Sequence, residues 1–371
     1  MNVPFLDILE GDSDIGNEIS AALLRVQRSG RYLLGAELEA FEMEFAANQG
    51  VSEAVGVGSG LDALTLMLRA LGIGSGDEII VPAHTFIATW FAVSHVGATP
   101  IPVDCDPKTL TIDPLKVENA ITDRSVAILP VHLYGRPADM KSLRRIARKY
   151  GLVLVADGAQ SVGAEYDSKP IAQWAEATAV SFYPGKNLGA YGDGGAVLTD
   201  SKNLAGKIRA LRNYGGLRKY QHDEVGVNSR LSEIQAAVLR VKLPSLSVSN
   251  QLRRRQAARY QDGLEKSNLS LPPRDGRECQ SAWHLFTVQI EKRDVVKEAL
   301  QALGIETSVH YPVPPHLTEA YRTYRYPSMP ISERVSREIL SLPIGPHLKS
   351  DQLDYVISCL EDVSRNGDVG R

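Results

Sequence analysis

The chain has 371 residues, of which 43% are hydrophobic and 23% charged, and its formal net charge is −3. This balance is typical of a folded protein with one large domain and a smaller one, and it excludes a disordered or strongly basic chain. The densest basic cluster, Arg253-Arg254-Arg255, has no aromatic residues between its members. We therefore interpret it as a solvated helix face and expect no nucleic acid partner.

Neither a metal site nor a membrane segment is indicated. The three cysteines, Cys105, Cys279 and Cys359, are too far apart for a zinc site or a disulfide framework. No stretch reaches the ~18 consecutive apolar residues that span a bilayer. Met1 to Asp14 lacks the basic start and apolar core of a signal peptide. The sequence therefore predicts a cytoplasmic protein that binds no metal.

Short apolar runs alternate with helical patterns between about residues 54 and 200. Several runs are apolar throughout, which is typical of strands covered by helices on both faces. Leucines recur at helical spacing from Leu61 to Leu71, and residues 140–150 follow a similar pattern. This alternation predicts an α/β fold with a mostly parallel central sheet flanked by helices. The predicted strands are residues 54–57, 78–81, 101–103, 127–131, 152–156, 179–182 and 195–199.

The pattern changes around Leu243-Pro244. A long polar helix follows, and after it come a strand at residues 284–290, a helix at 295–303 and a short strand near 307–310. This order of elements predicts a smaller C-terminal α+β domain. We place the large domain at residues 1–245 and the small one at 246–371.

A carboxylate and a lysine follow two of the predicted strands. Asp157 directly follows the apolar run 152–156, and Lys186 follows Phe182 after a short loop. In open α/β sheets the carboxyl ends of the strands form the edge that binds ligands. Pyridoxal phosphate (PLP) needs such a pair, because a lysine amine forms a Schiff base with its aldehyde and a carboxylate keeps its pyridine nitrogen protonated. The pair predicts a PLP site.

A phosphate site is indicated next to this pair. Gly58-Ser59-Gly60 lies between a predicted strand and a predicted helix, where backbone N–H groups point at an anion. Ser181 would add a hydroxyl, and Phe86 is placed to stack on the cofactor ring. A dinucleotide fingerprint starting at Gly56 fails, because its third glycine position is Leu61. This failure argues against a nicotinamide-dependent sugar reductase.

These motifs resemble those of the sugar aminotransferase family of the DegT/DnrJ/EryC1/StrS type, which are PLP enzymes of fold type I. The resemblance extends over nearly the whole chain, from Pro4-Phe5-Leu6-Asp7 through His310-Tyr311-Pro312 to Leu342-Pro343. It implies that Lys186 is the catalytic covalent anchor and Asp157 the partner of the pyridine nitrogen. The full set of cofactor contacts that it implies is Gly60, Leu61, Phe86, Asp157, Gln160, Ser181, Lys186 and Asn228.

The resemblance also implies a substrate and an assembly. Enzymes of this family make amino sugars for antibiotics and surface polysaccharides, with L-glutamate as amino donor and a nucleotide-linked keto sugar as acceptor. Tyr183, His310 and Tyr311 match residues near the sugar, and Asn228 matches an asparagine that reaches the partner's phosphate site. We therefore expect a homodimer with shared active sites.

One departure from the family pattern bears on the substrate. Many relatives carry threonine where this chain has Leu61, so one hydroxyl is missing from the phosphate site. The segment Ser59-Gly60-Leu61-Asp62-Ala63-Leu64 instead resembles the branch that aminates C3 of dTDP-3-keto-6-deoxyhexoses, giving dTDP-3-amino-3,6-dideoxyhexoses. We expect Lys186 to move a proton between the amino acid's Cα and the cofactor, and then to do so in reverse with the sugar.

Three alternatives stay open beside this interpretation. The first is amination of a 4-keto nucleotide sugar or of a keto-cyclitol. The second, from a different class, is a non-catalytic PLP-binding regulatory protein. The presence of Asp157, Gln160 and Lys186 together argues against it, because a protein without turnover does not need a lysine that moves protons. The third is the related group of enzymes that remove a sugar hydroxyl and carry histidine in place of the lysine, and Lys186 argues against it directly.

Overall fold

The computed structural model describes residues 1–218 and 220–365. Twelve strands are found in this part of the chain: β1 Glu53–Val57, β2 Glu78–Pro82, β3 Thr99–Val103, β4 Ser125–Ile128, β5 Val153–Asp157, β6 Glu165–Tyr166, β7 Lys169–Pro170, β8 Ala177–Ser181, β9 Gly195–Thr199, β10 Cys279–Gln280, β11 Phe286–Gln289 and β12 Ile339–Leu342.

Thirteen α-helices accompany them in the same residues: α1 Ile8–Gly11, α2 Gly16–Ser29, α3 Ala36–Asn48, α4 Gly60–Ala70, α5 Ile87–His95, α6 Pro114–Asn119, α7 Met140–Tyr150, α8 Lys202–Leu211, α9 Glu233–Lys242, α10 Leu246–Gly263, α11 Arg293–Ala302, α12 Pro330–Glu338 and α13 Ser350–Arg365. Short 3₁₀ turns lie at Ser13–Ile15, Leu133–Gly135, Ile171–Trp174, Leu243–Ser245, Pro315–Leu317 and Glu319–Tyr324. The first six predicted strands are found within a few residues of their expected positions, and the seventh, β9, has the predicted bounds.

A seven-stranded sheet forms the centre of the molecule, in the order β1-β9-β8-β5-β4-β2-β3. All neighbours pair in parallel except at β9, which is antiparallel to both β1 and β8. The reason is the connection: residues 182–194 return to the same edge of the sheet without a helix, so β9 must run back along β8. The predicted α/β fold with a mostly parallel sheet is confirmed.

Both faces of the sheet are buried, as the apolar runs predicted. Alternate residues of one strand enter different cores: Leu154 packs beneath α7, whereas Val155 packs beneath α4, α5 and α8. Sheet residues on β1, β8 and β9 contact α3 and α9 in a third core. Helices on both faces leave the strand ends as the open edge of the sheet.

A separate core, away from the sheet, is built largely from residues after 246. It contains Tyr260 of α10, Phe286 of β11 and Leu300 of α11, and β11 pairs antiparallel with β12. Val3 also belongs to this core and bridges to Ile305, so the start of the chain packs with the second part. The domain division at residue 245 stays a prediction, and residues 366–371 of the predicted small domain lie outside the described residues.

Two details of this region differ from expectation. The strand expected near 307–310 is only a single bridge between Ser308 and Ser341, and β12, which pairs with β11, was not predicted. The short run 339–342 directly follows α12 without a turn signal, so its period does not separate it from the helix.

The interpretation of Arg253-Arg254-Arg255 as a solvated face is wrong. Arg253 is 4% exposed and donates to the Ile344 carbonyl at 3.0 Å, whereas Arg254 donates to backbone carbonyls 27 and 91 residues away. Only Arg255 is exposed. The reason is tertiary: α10 lies against the segments that precede β11 and follow β12, and their free carbonyls attract two of the three guanidinium groups.

Candidate active site

The predicted site residues converge on one cavity at the carboxyl ends of β1, β5 and β8. Its volume is about 620 Å³, within the range of small-molecule sites. Ten of the predicted residues line it: Gly60, Leu61, Phe86, Asp157, Gln160, Ser181, Tyr183, Lys186, His310 and Tyr311. Asn228 does not line it, and its side chain is exposed.

Asp157 ends β5 and is 5% exposed. Its carboxylate accepts hydrogen bonds from the Thr89 hydroxyl at 2.8 Å and from the Ala159 N–H at 3.1 Å. Burial raises the pKa of Asp157, whereas these two hydrogen bonds and the charge of Lys186 act in the opposite direction. A buried carboxylate that is only partly compensated is suited to bind a cationic N–H group.

Lys186 lies on the loop after β8, where its N–H donates to the Tyr183 carbonyl at 2.8 Å. Burial lowers the pKa of Lys186 to about 8, although the charge of Asp157 acts to raise it. A larger share of this amine is therefore neutral near pH 7 than for an ordinary lysine. The neutral form is the nucleophile that attacks a carbonyl.

The start of α4 lies where the sequence predicts a phosphate site. Ser59 caps this helix by accepting the Asp62 N–H at 3.1 Å, and Gly60 is its first residue. A Cβ at Gly60 would lie 2.7 Å from Cβ of Ser181, so the glycine lets the helix end approach β8 closely. Free N–H groups at a helix N-terminus together with the Ser181 hydroxyl suit a phosphate.

Gln160 connects the sheet edge to the second part of the chain. Its Oε1 accepts the Tyr134 N–H at 2.5 Å, and its Nε2 donates to the Tyr311 hydroxyl at 3.0 Å. The ring of Tyr311 lies 5.3 Å from that of Phe86. The hydroxyl of Tyr134 donates in turn to the His310 carbonyl. These contacts hold His310 and Tyr311 over the cavity.

His310 and Tyr183 also line the cavity. Nδ1 of His310 is 2.8 Å from the Ser341 hydroxyl, and burial lowers the pKa of His310 to about 4, so the ring is neutral at pH 7. Tyr183 is 59% and Phe86 51% exposed. Rings this exposed beside a cavity are available to contact a ligand.

Sequence reasoning missed several residues of this site. His284, Arg253 and Phe5 line the cavity, and Thr89 holds Asp157. Contacts between distant segments bring Arg253 and His284 to the cavity, and Phe5 belongs to a segment that the sequence tied to the family resemblance but to no role in the site. Only Thr89, in the first turn of the helix after Phe86, lies close in sequence to a predicted site residue.

The residues present fit PLP. A partly neutral lysine, a buried carboxylate and a helix start that admits no Cβ lie around one cavity. No cluster of potential metal ligands is found among the described residues, and no helix among them has the length and apolarity to cross a membrane. Their three cysteines are unpaired.

Comparisons with known proteins agree with this geometry. The chain is 52% identical over 363 residues to the dTDP-3-amino-3,4,6-trideoxy-alpha-D-glucose transaminase of Streptomyces venezuelae, covering 97% of this chain and 96% of that protein. It is 45% identical over 365 residues to the dTDP-3-amino-3,6-dideoxy-alpha-D-galactopyranose transaminase of Aneurinibacillus thermoaerophilus, covering 98% and 99%.

Solved structures are similar over the same extent. DesV of S. venezuelae superposes with a TM-score of 0.96 at 51% identity, covering 98% of this chain and 99% of that one. NtdA of Bacillus subtilis, solved with bound cofactor PMP, gives a TM-score of 0.92 at 33% identity, covering 98% and 86%. The model of the DegT/DnrJ/EryC1/StrS aminotransferase family matches residues 13–361. The chain therefore belongs to the DegT/DnrJ/EryC1/StrS aminotransferase family and is a PLP-dependent aminotransferase.

Proposed function

We propose that this enzyme transfers an amino group from L-glutamate to C3 of a dTDP-linked 3-keto-6-deoxyhexose. The observation that carries the chemistry is the pairing of Lys186, whose pKa is lowered to about 8, with buried Asp157 in one cavity. The substrate is supported by the two relatives described above, both named as dTDP-3-amino-sugar transaminases. The segment around Leu61 resembles the same branch.

When bound, PLP supplies an electron sink that acidifies the Cα hydrogen of an amino acid. In our proposal Asp157 holds the proton of the pyridine nitrogen, which its burial and its negative charge favour. Lys186 first anchors the cofactor and then, once its amine is free, accepts and returns the proton. An amine with a pKa near 8 does both within a unit or so of neutral pH.

The sugar binds beside Tyr183, His310 and Tyr311 in this proposal. All three residues line the cavity, and Gln160 donates to the Tyr311 hydroxyl at 3.0 Å and so keeps that ring in place. Neutral His310 offers a hydrogen-bonding imidazole without adding charge. Phe86, whose ring lies 5.3 Å from that of Tyr311, would stack on the cofactor ring.

The first experiment is an absorption spectrum of the purified protein before and after L-glutamate is added. We expect a visible band at roughly 410–430 nm from the lysine-bound cofactor, which glutamate moves into the ultraviolet. Lys186→Ala should lack the band. Lys242→Ala, a control that removes a lysine paired with Asp12 outside the cavity, should keep it. A protein that stays colourless with added PLP would contradict the Lys186 assignment.

A panel of nucleotide keto sugars then tests the acceptor. We expect turnover with dTDP-3-keto-6-deoxyhexoses to exceed that with 4-keto nucleotide sugars and with keto-cyclitols. The reverse order would refute the C3 assignment and leave the aminotransferase chemistry intact. A band that responds to glutamate without turnover of any acceptor would favour the regulatory alternative.

A homodimer with shared active sites is part of the same proposal. Asn228 is exposed and does not line the cavity of its own chain, although its backbone pairs with Asn213. A side chain in this position is free to contact a second copy. We also place the enzyme in the cytoplasm, where unpaired thiols such as those of Cys105, Cys279 and Cys359 are stable.

Mixed dimers test the sharing. In a dimer of one Lys186→Ala chain and one Asn228→Ala chain, one site would have both intact residues and the other neither. Refolding the two inactive variants together should therefore restore activity. A mixture no more active than the sum of the separate variants would contradict shared sites.

A further inference from the structure

His284 contacts the lysine from the second part of the chain. It immediately precedes Leu285 and β11, lines the cavity, and places Nε2 3.5 Å from Nζ of Lys186. Asp157 acts on the same amine electrostatically, so Lys186 lies between an anion and an imidazole. If Nδ1 carries the proton, Nε2 can accept a hydrogen bond from Lys186. If Nε2 carries it, an N–H group faces the lysine and no such bond forms.

Two amide side chains, buried Asn250 and half-buried Asn187, determine which ring nitrogen of His284 carries the proton. Asn250 is 2% exposed, and its Nδ2 donates to the Val162 carbonyl at 3.0 Å. Its Oδ1 therefore points at Asn187, whose Nδ2 donates to it at 2.7 Å and to the Ala282 carbonyl at 2.8 Å. A backbone carbonyl only accepts, so each amide is anchored in one orientation by a main-chain oxygen.

The orientation of Asn187 sets the tautomer of His284. With Nδ2 of Asn187 occupied, its Oδ1 faces Nδ1 of His284 at 3.3 Å. An amide oxygen only accepts, so Nδ1 of His284 carries the hydrogen. Nε2 is then left with its lone pair, and that lone pair faces Lys186.

Burial and the positive charges around His284 keep its imidazole neutral. Burial is the main reason that the pKa of His284 lies well below its ordinary value, and Lys186, Arg253 and His310 lower it further. Arg253 donates to the His284 carbonyl at 3.4 Å. The carboxylate of Asp157 acts on Lys186 instead, where its charge raises the pKa of the amine.

We propose that His284 is a positioning residue for Lys186, held by Asn187 and Asn250 as the Nδ1-protonated neutral tautomer, whose Nε2 accepts an N–H of the lysine whenever that amine is free. The contact directs the amine while it waits to move the substrate proton. The proposal rests on the role of Lys186 given above, and it adds a residue that acts through the lysine.

Histidine ¹⁵N spectra of the cofactor-free protein test the tautomer directly. The signal that disappears in His284→Gln identifies the residue, and its two nitrogen shifts distinguish the tautomers. We expect the Nδ1-protonated neutral ring from about pH 6 upward, because the lowered pKa of His284 keeps the ring neutral where an ordinary histidine begins to gain a proton. An Nε2-protonated ring or an imidazolium at pH 7.5 would overturn the proposal.

Single-turnover kinetics with L-glutamate test the consequence. His284→Leu removes the acceptor, and we expect the half-reaction to slow by about tenfold or more, with a smaller change in the glutamate concentration at half-saturation. His284→Gln keeps an acceptor oxygen and should recover much of the rate. Equal losses in the two variants would indicate a purely structural role and refute the proposal.

A matched control removes another buried histidine. His316 is 6% exposed, contacts Glu333 at 3.2 Å and does not line the cavity. His316→Leu should leave the half-reaction rate unchanged in the folded fraction. A tenfold loss in this variant as well would show that the assay reports global damage.

Asn187→Asp changes the protonation of the His284 ring without substituting His284 itself. A carboxylate beside Nδ1 raises the pKa of His284, so the ring gains a proton at Nε2 and stops accepting. The half-reaction should slow at low pH and recover as pH rises and the ring becomes neutral again. The variant also loses the hydrogen bonds that Nδ2 of Asn187 donates to Asn250 and Ala282, so the readout is the change of the rate with pH and not its absolute size. A rate that keeps the same pH dependence as the parent protein would contradict the tautomer argument.

These outcomes are separable from failure of the parent proposal. If Lys186 were not the anchor, Lys186→Ala would keep the visible band. If only the positioning role is wrong, Lys186→Ala loses the band while His284→Leu keeps both the band and its rate.

Discussion

Gly60→Ala is the sharpest test of the phosphate cradle. The new methyl group would lie 2.7 Å from Cβ, 3.1 Å from Oγ and 3.3 Å from Cα of Ser181. Ser181 is 9% exposed and pairs with Gly195 on β9, so it has no free direction in which to move. The start of α4 must therefore shift away from β8.

The size of the effect follows from overpacking. An extra methyl group in a closely packed site costs about 1–3 kcal/mol. If that cost falls on the cofactor-bound state, it corresponds to roughly 5- to 150-fold weaker PLP binding, since 1.4 kcal/mol is about tenfold. The measurement is a titration of cofactor-free protein with PLP, followed by absorbance, together with thermal unfolding of the same variant.

Gly206→Ala is the matched control. Gly206 lies inside α8, and a Cβ there meets no atom within 4 Å. The same substitution should raise the free energy of unfolding by about 0.5–1 kcal/mol and leave PLP affinity unchanged. If Gly60→Ala bound PLP within twofold of the parent protein, the cradle formed by Gly60 and Ser181 would be refuted.

Three further predictions address charged residues around the central sheet. Thr89→Val removes the hydroxyl that donates to Asp157 at 2.8 Å; loss of a hydrogen bond to a charged group costs about 1.5–3 kcal/mol, so the pKa of Asp157 should rise further and the glutamate half-reaction should slow by roughly 10- to 100-fold in single-turnover assays. An unchanged rate would show that the hydroxyl does not support the carboxylate. The rate at which PLP attaches to the cofactor-free protein should rise with pH along a curve whose midpoint is about 8, because the Lys186 amine loses its proton there. A midpoint above 10 would contradict the conclusion that burial lowers the pKa of Lys186. Arg212→Met should lower the free energy of unfolding by about 1–3 kcal/mol in urea titrations, because Glu42, 8% exposed, would lose its hydrogen-bonded partner at 2.5 Å and keep Arg209 at 3.6 Å as its counter-charge. Adding Glu42→Gln should recover part of that loss, and no recovery would argue against the weakened ion pair as its cause.

Much of the architecture was predictable because it depends on local patterns. Apolar runs of strand length, separated by helical spacing, predicted the α/β sheet, and helix α7 has the predicted bounds Met140–Tyr150. The Asp157–Lys186 pair was predictable as well, because each residue follows its own strand and parallel strands end at one edge. Their convergence on one cavity needed no knowledge of distant contacts.

The remaining features depend on which segments meet, and local patterns do not encode that. The sequence by itself determined the sheet and the placement of Lys186 and Asp157 at its open edge, since these depend on the order of residues along neighbouring strands. Only the tertiary structure decided that Arg253 is buried, that β12 pairs with β11, and that His284 faces Lys186. The physical reason is that burial, pairing and tautomer are set by carbonyls, amides and charges that lie far away in the sequence and close in space.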